Sequence, residues 1–389
     1  MSAADVLYDI VVVGGGPAGL AAAASAARND ALRIALVDNG PALGGQIWRR
    51  GASSRPVAAA RPWLERLERS SVESIASAEV VDAGHPAKHR WSLVLNTPHG
   101  ARRLICRRLI LATGATERFL PFPGWTLPGV VGAGGLQALI KSGLEVAGRR
   151  VVVAGSGPLL LAVAALARDR GARVELIAEQ APARSLARFG LGLWRRPSTI
   201  TQGLGLRARL LGVPYRPSTW PVRALGDRRL DAVVLRGPRG DRTLECELLA
   251  CGFGLVPETR LARWLGCAVV DGGVVVDAGQ RTSVGRLLAA GELTGIGGVD
   301  AAVVEGRIAG YMASGQADRA RSLLGRRRHG RRFASRLAEA FTLRDELRGL
   351  PTDETIVCRC EDVRWQAIRG HDDLRTCKLA TRCGMGPCQ

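Results

Sequence analysis

Two glycine-rich turns, each followed at the same distance by an acid, and a late group of cysteines are the residues here whose types and spacing could do chemistry. Gly14, Gly16 and Gly19 fit G-x-G-x-x-G, with Gly15, Pro17 and Ala18 between them. The first glycine permits a tight turn. The second lets a pyrophosphate approach the backbone, and the third lets a helix pack closely on a strand. The phosphates then meet the positive N-terminal end of that helix. Asp38, 19 residues past Gly19, is placed to accept a hydrogen bond from a ribose hydroxyl. Gly155, Gly157 and Glu179 repeat Gly14, Gly16 and Asp38 at a constant offset of 141 residues. In this copy Leu160 stands at the third glycine, which predicts looser packing. Glu179 would hold a 2′-hydroxyl and repel a 2′-phosphate, which favours NAD or another adenosine nucleotide over NADP. A nucleotide fold kept only as scaffold is the other reading.

The elements that must position these residues are also repeated. An apolar strand, Ile10–Val13, enters the first turn, and Val151–Ala154 enters the second. Leu111-Ala112-Thr113-Gly114 is echoed by Leu249-Ala250-Cys251-Gly252 at an offset of 138. Weakly alternating segments around Thr97–Gly100 and Gly237–Gly240 predict a hairpin in each half. The chain therefore reads as α/β, with two tandem Rossmann-like dinucleotide-binding domains built from one duplicated unit. Leu287–Glu292 is a strand that does not repeat. It predicts a return to the first unit, which would make that unit discontinuous and three-layered, over residues 1–120 and 270–320. The second unit would occupy 121–269. Residues 321–351 form a basic linker containing Arg326-Arg327-Arg328-His329-Gly330-Arg331-Arg332, suited to an acidic partner. A small α-rich cysteine module, 352–389, closes the chain.

An FAD extends well beyond one nucleotide half-site. Gly45 and Gln46 after the second strand, Thr113-Gly114, and Gly291-Glu292 are spaced to line such a ligand. In the terminal module, Cys358-x-Cys360 puts two thiolates on one tight loop, and Cys383 and Cys388 add two more. Four thiolates hold a [2Fe–2S] cluster. Zinc, which more often uses C-x₂-C knuckles, and unligated thiols are the alternatives. No cysteine occurs from residue 107 to 245, and none follows Gly44-Gly45-Gln46 directly. Thiol–disulfide chemistry beside a flavin is therefore not expected.

The 389 residues carry a net charge of +20. A nucleic-acid surface is one reading of that charge. Only Lys88, Lys141 and Lys378 are lysines, however, and the arginines are scattered, which favours solvated faces and no nucleic-acid partner. No apolar run of about 18 residues predicts a membrane span, and no cleavable leader is evident. Nine cysteines without a secreted-type framework predict a cytoplasmic protein, peripheral at the inner membrane face if its partners hold it there. The sequence context of the five histidines, His85, His89, His99, His329 and His371, nominates no general base.

The turn, Asp38, the Ala-Thr-Gly segment and Gly291-Glu292 resemble the two-dinucleotide-domain flavoproteins of the pyridine nucleotide–disulfide oxidoreductase superfamily. There the counterpart of Glu292 is an Asp that binds the ribityl side. The extra methylene displaces the carboxylate by about 1.5 Å, one C–C bond length. The resemblance also implies that the helix from Val299 aims its dipole at the flavin N1/C2 carbonyl. The cysteine segment resembles the bacterioferritin-associated-ferredoxin-like [2Fe–2S] domain. Together with Gly44–Arg49, Leu120–Val130, Gly155–Leu160 and Thr294–Gly298, it resembles the FAD subunit of opine oxidases, D-hydroxyproline dehydrogenases and hydrogen cyanide synthase. That implies Cys358, Cys360 and Cys388 as cluster ligands. The sequence ends at Gln389 before the family's last cysteine, so the resemblance implies a truncated module whose fourth ligand is either missing or supplied by Cys383. The resemblance also implies two partners, a D-amino-acid-oxidase-like flavoprotein subunit and a small [2Fe–2S] subunit. Electrons from amino- or imino-acid oxidation would pass through FAD and the cluster. A stand-alone NAD(P)H-dependent ferredoxin-type reductase is the alternative, and a basic regulatory flavoprotein a remoter one.

Overall fold

The computed structural model describes residues 6–48, 57–87, 90–195 and 197–386. Strand β1 (Val6–Val13) leads through the first glycine turn into helix α1 (Pro17–Ala26) and then β2 (Ile34–Val37). Proline at the start of α1 pre-sets its first φ and removes a donor that no helix could satisfy. The rest of α1 is almost all alanine, and every residue from Ala18 to Ala26 is buried. It has no polar face because it meets protein on all sides. In the second copy, β3 (Arg150–Gly155) leads to α2 (Leu159–Asp169) and β4 (Arg173–Glu179).

The chain divides into two compact units, residues 1–116 with 255–338, and 117–254 with 339–389. In the first unit, parallel strands run in the order Glu73–Ile75, β2, β1, Gly100–Leu111, Leu287–Ala289. The segment Gly100–Leu111 is one continuous strand of 12 residues, where the sequence suggested a hairpin arm and a separate buried strand. Its first half pairs antiparallel with Arg90–Thr97, which pairs in turn with Glu79–Ala87. Its last residues pair with Leu287–Ala289. One face of the sheet packs on α1 and on helix α3 (Val299–Ala313). The other face buries Tyr8, Trp91, Leu93, Leu95 and Leu104.

Gly306 and Gly310 of α3 lie against the Ala18 and Ala22 carbonyls of α1, where any Cβ would overlap backbone oxygen. The basic residues 321–351 contain helix α4 (Leu324–Ala340). Gly330 and Ala334 of α4 pack on Ala301 and Gly297 at the start of α3.

In the second unit five parallel strands run Tyr215–Arg216, β4, β3, Leu248–Gly252, Val130–Gly132. A separate antiparallel sheet joins Trp220–Leu225, Ala232–Gly237 and Gly240–Glu245. Leu160 is fully buried in the same apolar cluster as Val151 and Val153. The C-terminal module is a short antiparallel pair, Ile356–Cys358 with Val363–Arg364, followed by helices Trp365–Ile368 and Leu374–Thr381. Asp373 caps the last helix by accepting from the Thr376 N–H at 2.8 Å. No helix among the described residues is long and apolar enough to cross a membrane.

Candidate functional site

Gly14 has φ +104°, and a Cβ there would overlap the Ala112 carbonyl oxygen. Gly19 abuts the Gly14 carbonyl so closely that it too has room only for hydrogen. The turn is thus compressed between β1, α1 and the end of the Gly100–Leu111 strand, where Ala112 N–H donates to the Val13 carbonyl at 2.8 Å. Gly16 is the open member: the one atom near its missing side chain is the Gly45 Cα, 3.9 Å away. Gly45 is held there because Gly44 N–H donates to the Gly15 carbonyl at 2.8 Å. Two bare glycines therefore face each other at the start of α1. This cradle leaves space for a pyrophosphate at a helix N-terminus. Gln46, the next residue, is exposed.

The Asp38 carboxylate accepts from Gly15 N–H at 2.5 Å and from Gly40 N–H at 2.8 Å. These bonds fix the acid at the rim of the turn. Thr113 Oγ1 donates to the Glu258 carbonyl at 2.7 Å, and Glu258 N–H returns to the Gly114 carbonyl at 3.0 Å. The Ala-Thr-Gly segment is thereby locked with Gly114 at φ +74°.

Gly291 (φ +79°) would bring a Cβ to 2.7 Å from the Ala18 Cβ. This brings the Gly291-Glu292 pair to the beginning of α1. The Glu292 carboxyl accepts from Gly298 N–H at the start of α3, and burial holds its pKa above the ordinary carboxylate value. The longer side chain thus meets the very helix terminus that was expected to face a flavin.

Sequence reading missed a clamp behind Gly291. Glu305 in α3 is 4% exposed. It accepts from Gly291 N–H at 3.1 Å and Thr294 Oγ1 at 3.0 Å, and pairs with Arg331 of α4 at 2.7 Å. Arg331 also donates to the Thr294 carbonyl and hydroxyl, both at 2.7 Å. The signal available in the sequence was an acid beside glycines (Glu305, Gly306, Gly310) in a helix that is mostly small and apolar.

In the second unit Gly155 (φ +141°) and Gly157 (φ +100°) form the turn. Glu179 is completely buried and accepts from Gly157 N–H and Ala181 N–H, each at 2.8 Å. Burial raises its pKa to about 7, against the pull of those donors.

In the terminal module Gly384 N–H points at Cys358 Sγ, 3.5 Å away. Gly386 lies against Cys360, where a Cβ would stand 2.9 Å from its Sγ. Cys358 and Cys360 therefore share a loop with amides and bare backbone directed at sulfur, a setting that suits thiolates. Cys383 donates its N–H to Thr381 Oγ1 at 3.2 Å. Cys377 is buried. Among the described residues no three His, Cys, Asp or Glu side chains converge as a metal site. Cys388 lies outside the described residues.

Residues 8–306 match the family model described as pyridine nucleotide-disulphide oxidoreductase. The chain is 32% identical over 417 residues to the HcnB subunit of hydrogen cyanide synthase from Pseudomonas protegens, covering 97% of this chain and 88% of that one. It is 34% identical over 422 residues to an opine oxidase subunit of Rhizobium meliloti, covering 98% and 90%. Among solved structures, L-proline dehydrogenase from P. horikoshii superposes with a TM-score of 0.66 at 19% identity, over 99% of this chain and 71% of that one. Thioredoxin reductase from T. acidophilum gives 0.64 at 21% identity, over 81% and 100%.

Proposed function

Because the chain belongs to the pyridine nucleotide–disulphide oxidoreductase family, with HcnB and an opine oxidase subunit among its relatives over nearly its full length, we propose that it is the FAD-carrying electron-relay subunit of a heteromeric oxidoreductase acting on C–N bonds. A partner resembling D-amino-acid oxidase would oxidise an amino or imino acid of the opine or hydroxyproline type. Electrons would then pass through this chain toward an acceptor. The observation that carries the reading is that one chain holds both a glycine cradle, in its first unit, and Cys358 and Cys360 beside the Gly384 amide, in its second.

The first unit's residues fit FAD. Gly14 would shape the turn, Gly16 and Gly45 would leave the pyrophosphate its space, Asp38 would stand at the adenosine ribose, and Thr113-Gly114 and Gly291-Glu292 would lie along the remainder. Bound there, FAD supplies two-electron uptake and stepwise release. Glu305 and Arg331 keep Gly291 and Thr294 in place. Glu292 holds a carboxyl at the start of α3, where its protonation state sets the local charge. No residue of this chain is assigned to take a proton from substrate, which suits a relay. Cys358, Cys360 and Cys388, with Cys383 as the fourth thiolate, would hold a [2Fe–2S] centre.

The test is purification with co-expressed neighbouring subunits, followed by absorbance and electron paramagnetic resonance. The reading expects bound FAD and a rhombic signal on reduction. It also expects dye reduction with an amino or imino acid only when the partner is present. Rapid bleaching of the flavin by NADH alone, without a partner, would replace this reading with the ferredoxin-reductase alternative.

A further inference from the structure

The residue after Glu179 is Gln180, whose amide side chain is completely buried. Its nitrogen donates to Ser156 Oγ at 2.9 Å and to the Thr342 carbonyl at 3.1 Å. Its oxygen accepts from the Arg344 N–H at 3.2 Å. Ser156, inside the second glycine turn, donates from Oγ to the Phe341 carbonyl at 3.4 Å. The segment that follows α4 is therefore tied by its backbone to the turn itself.

Its side chains complete the contact. Phe341 Cγ stands 4.0 Å from the point where a Cβ on Gly157 would project, and its ring meets Phe189 edge-on at 5.4 Å. The Arg344 guanidinium lies over Trp220 at 4.9 Å. Leu347 is 1% exposed in the same core as Phe122 and Trp125, with Leu343 and Leu350 packed beside it.

The second glycine of such a turn is bare so that a pyrophosphate can come down onto the backbone. At Gly16 the neighbour across that space is another glycine; at Gly157 it is a phenylalanine ring. The aromatic carbon over Gly157 offers a phosphate oxygen no hydrogen bond, and the turn's own amides are engaged, Ser156 N–H by the Gly252 carbonyl at 2.7 Å and Gly157 N–H by Glu179 at 2.8 Å.

We propose that Phe341–Arg344 is a strap that closes the second dinucleotide fold to nucleotides, and that this fold serves instead as the seat of the C-terminal cysteine module. The seat is visible in the same unit. Trp125 Nε1 donates to the Ile356 carbonyl at 2.5 Å, and Arg359 lies over the Trp125 ring at 4.5 Å. Residues 356 and 359 flank Cys358. The strap thus connects the closed turn to the module through one continuous stretch of anchored chain. The inference is independent of the relay reading, since it concerns what the second fold binds and not where electrons come from.

The experiment is calorimetric titration of the full-length, FAD-loaded chain with NADH and, separately, ADP, so that the first fold is already filled. The expected result is no saturable binding to the wild type at millimolar nucleotide. The variant Phe341→Gly/Gln180→Ala should bind at least about tenfold more tightly; a strap closed 99% of the time weakens a nucleotide about 100-fold. Saturable wild-type binding that Gly157→Val abolishes would overturn the proposal. So would a folded strap variant that binds no better than wild type. Hydrogen exchange on the wild type gives a second readout free of any folding defect. The Arg344 amide should be protected to the same extent with and without saturating NADH. Loss of that protection with nucleotide, or new protection of residues 156–160, would also overturn it.

Discussion

Glu179 offers a sharp test of how the second fold is built. Its carboxyl is completely buried, and burial raises its pKa from 4.5 to about 7. A raised folded-state value means that the native state holds the proton more tightly than the unfolded chain. The stability from this group is therefore full below pH 4.5 and is lost as pH rises through about 7. Linkage over the interval from pH 5 to pH 8 makes that loss about 2.5 kcal/mol. Glu179→Gln keeps one oxygen for either Gly157 or Ala181 and gives up the other bond. That costs about 1 kcal/mol at every pH and removes the titration. Urea unfolding of both proteins at pH 5 and pH 8, followed by tryptophan fluorescence, measures the difference; Trp125 and Trp220 are both buried in this unit. The wild type should lose about 1 M more in urea midpoint across that range than the variant, for a slope of 2–3 kcal/mol per molar. Equal losses in the two proteins would refute the argument that burial outweighs the two amide donors.

Three further outcomes are expected. Gly306→Ala puts a methyl into the Ala18 carbonyl and must push α3 off α1 at a cost of about 1–3 kcal/mol; melting temperature and FAD retention on gel filtration should both fall. Asp38→Asn removes charge from the acceptor of the Gly15 and Gly40 amides, and a lost charged hydrogen bond of about 1.5–3 kcal/mol should weaken FAD roughly tenfold to a hundredfold in a flavin-fluorescence titration. Arg331→Gln strands the buried Glu305 carboxylate, destabilising the first unit by about 3 kcal/mol, and adding Glu305→Gln should recover part of that loss in the same denaturation assay.

What could be read from the sequence is what local sterics enforce. Glycines at Gly14, Gly155 and Gly157 mark positions of positive φ, and a strand, a turn and an acid at constant spacing announce two folds of the same kind. The parallel strands are apolar because both faces of each sheet are covered, and that pattern is also local. Tertiary structure alone decided the contacts between residues far apart in the chain. Glu305 finds Arg331 because α4 crosses the start of α3, and a basic run gives no sign that one of its arginines faces inward. Gly100–Leu111 serves two sets of neighbours because its two ends meet different strands, which periodicity within the strand does not encode. Thr342 and Gln180 meet across 162 residues of chain. The glycine motif states that a backbone can accept a phosphate; whether another part of the same molecule already stands there depends on how the chain folds back, and side-chain identity at the turn carries no record of it.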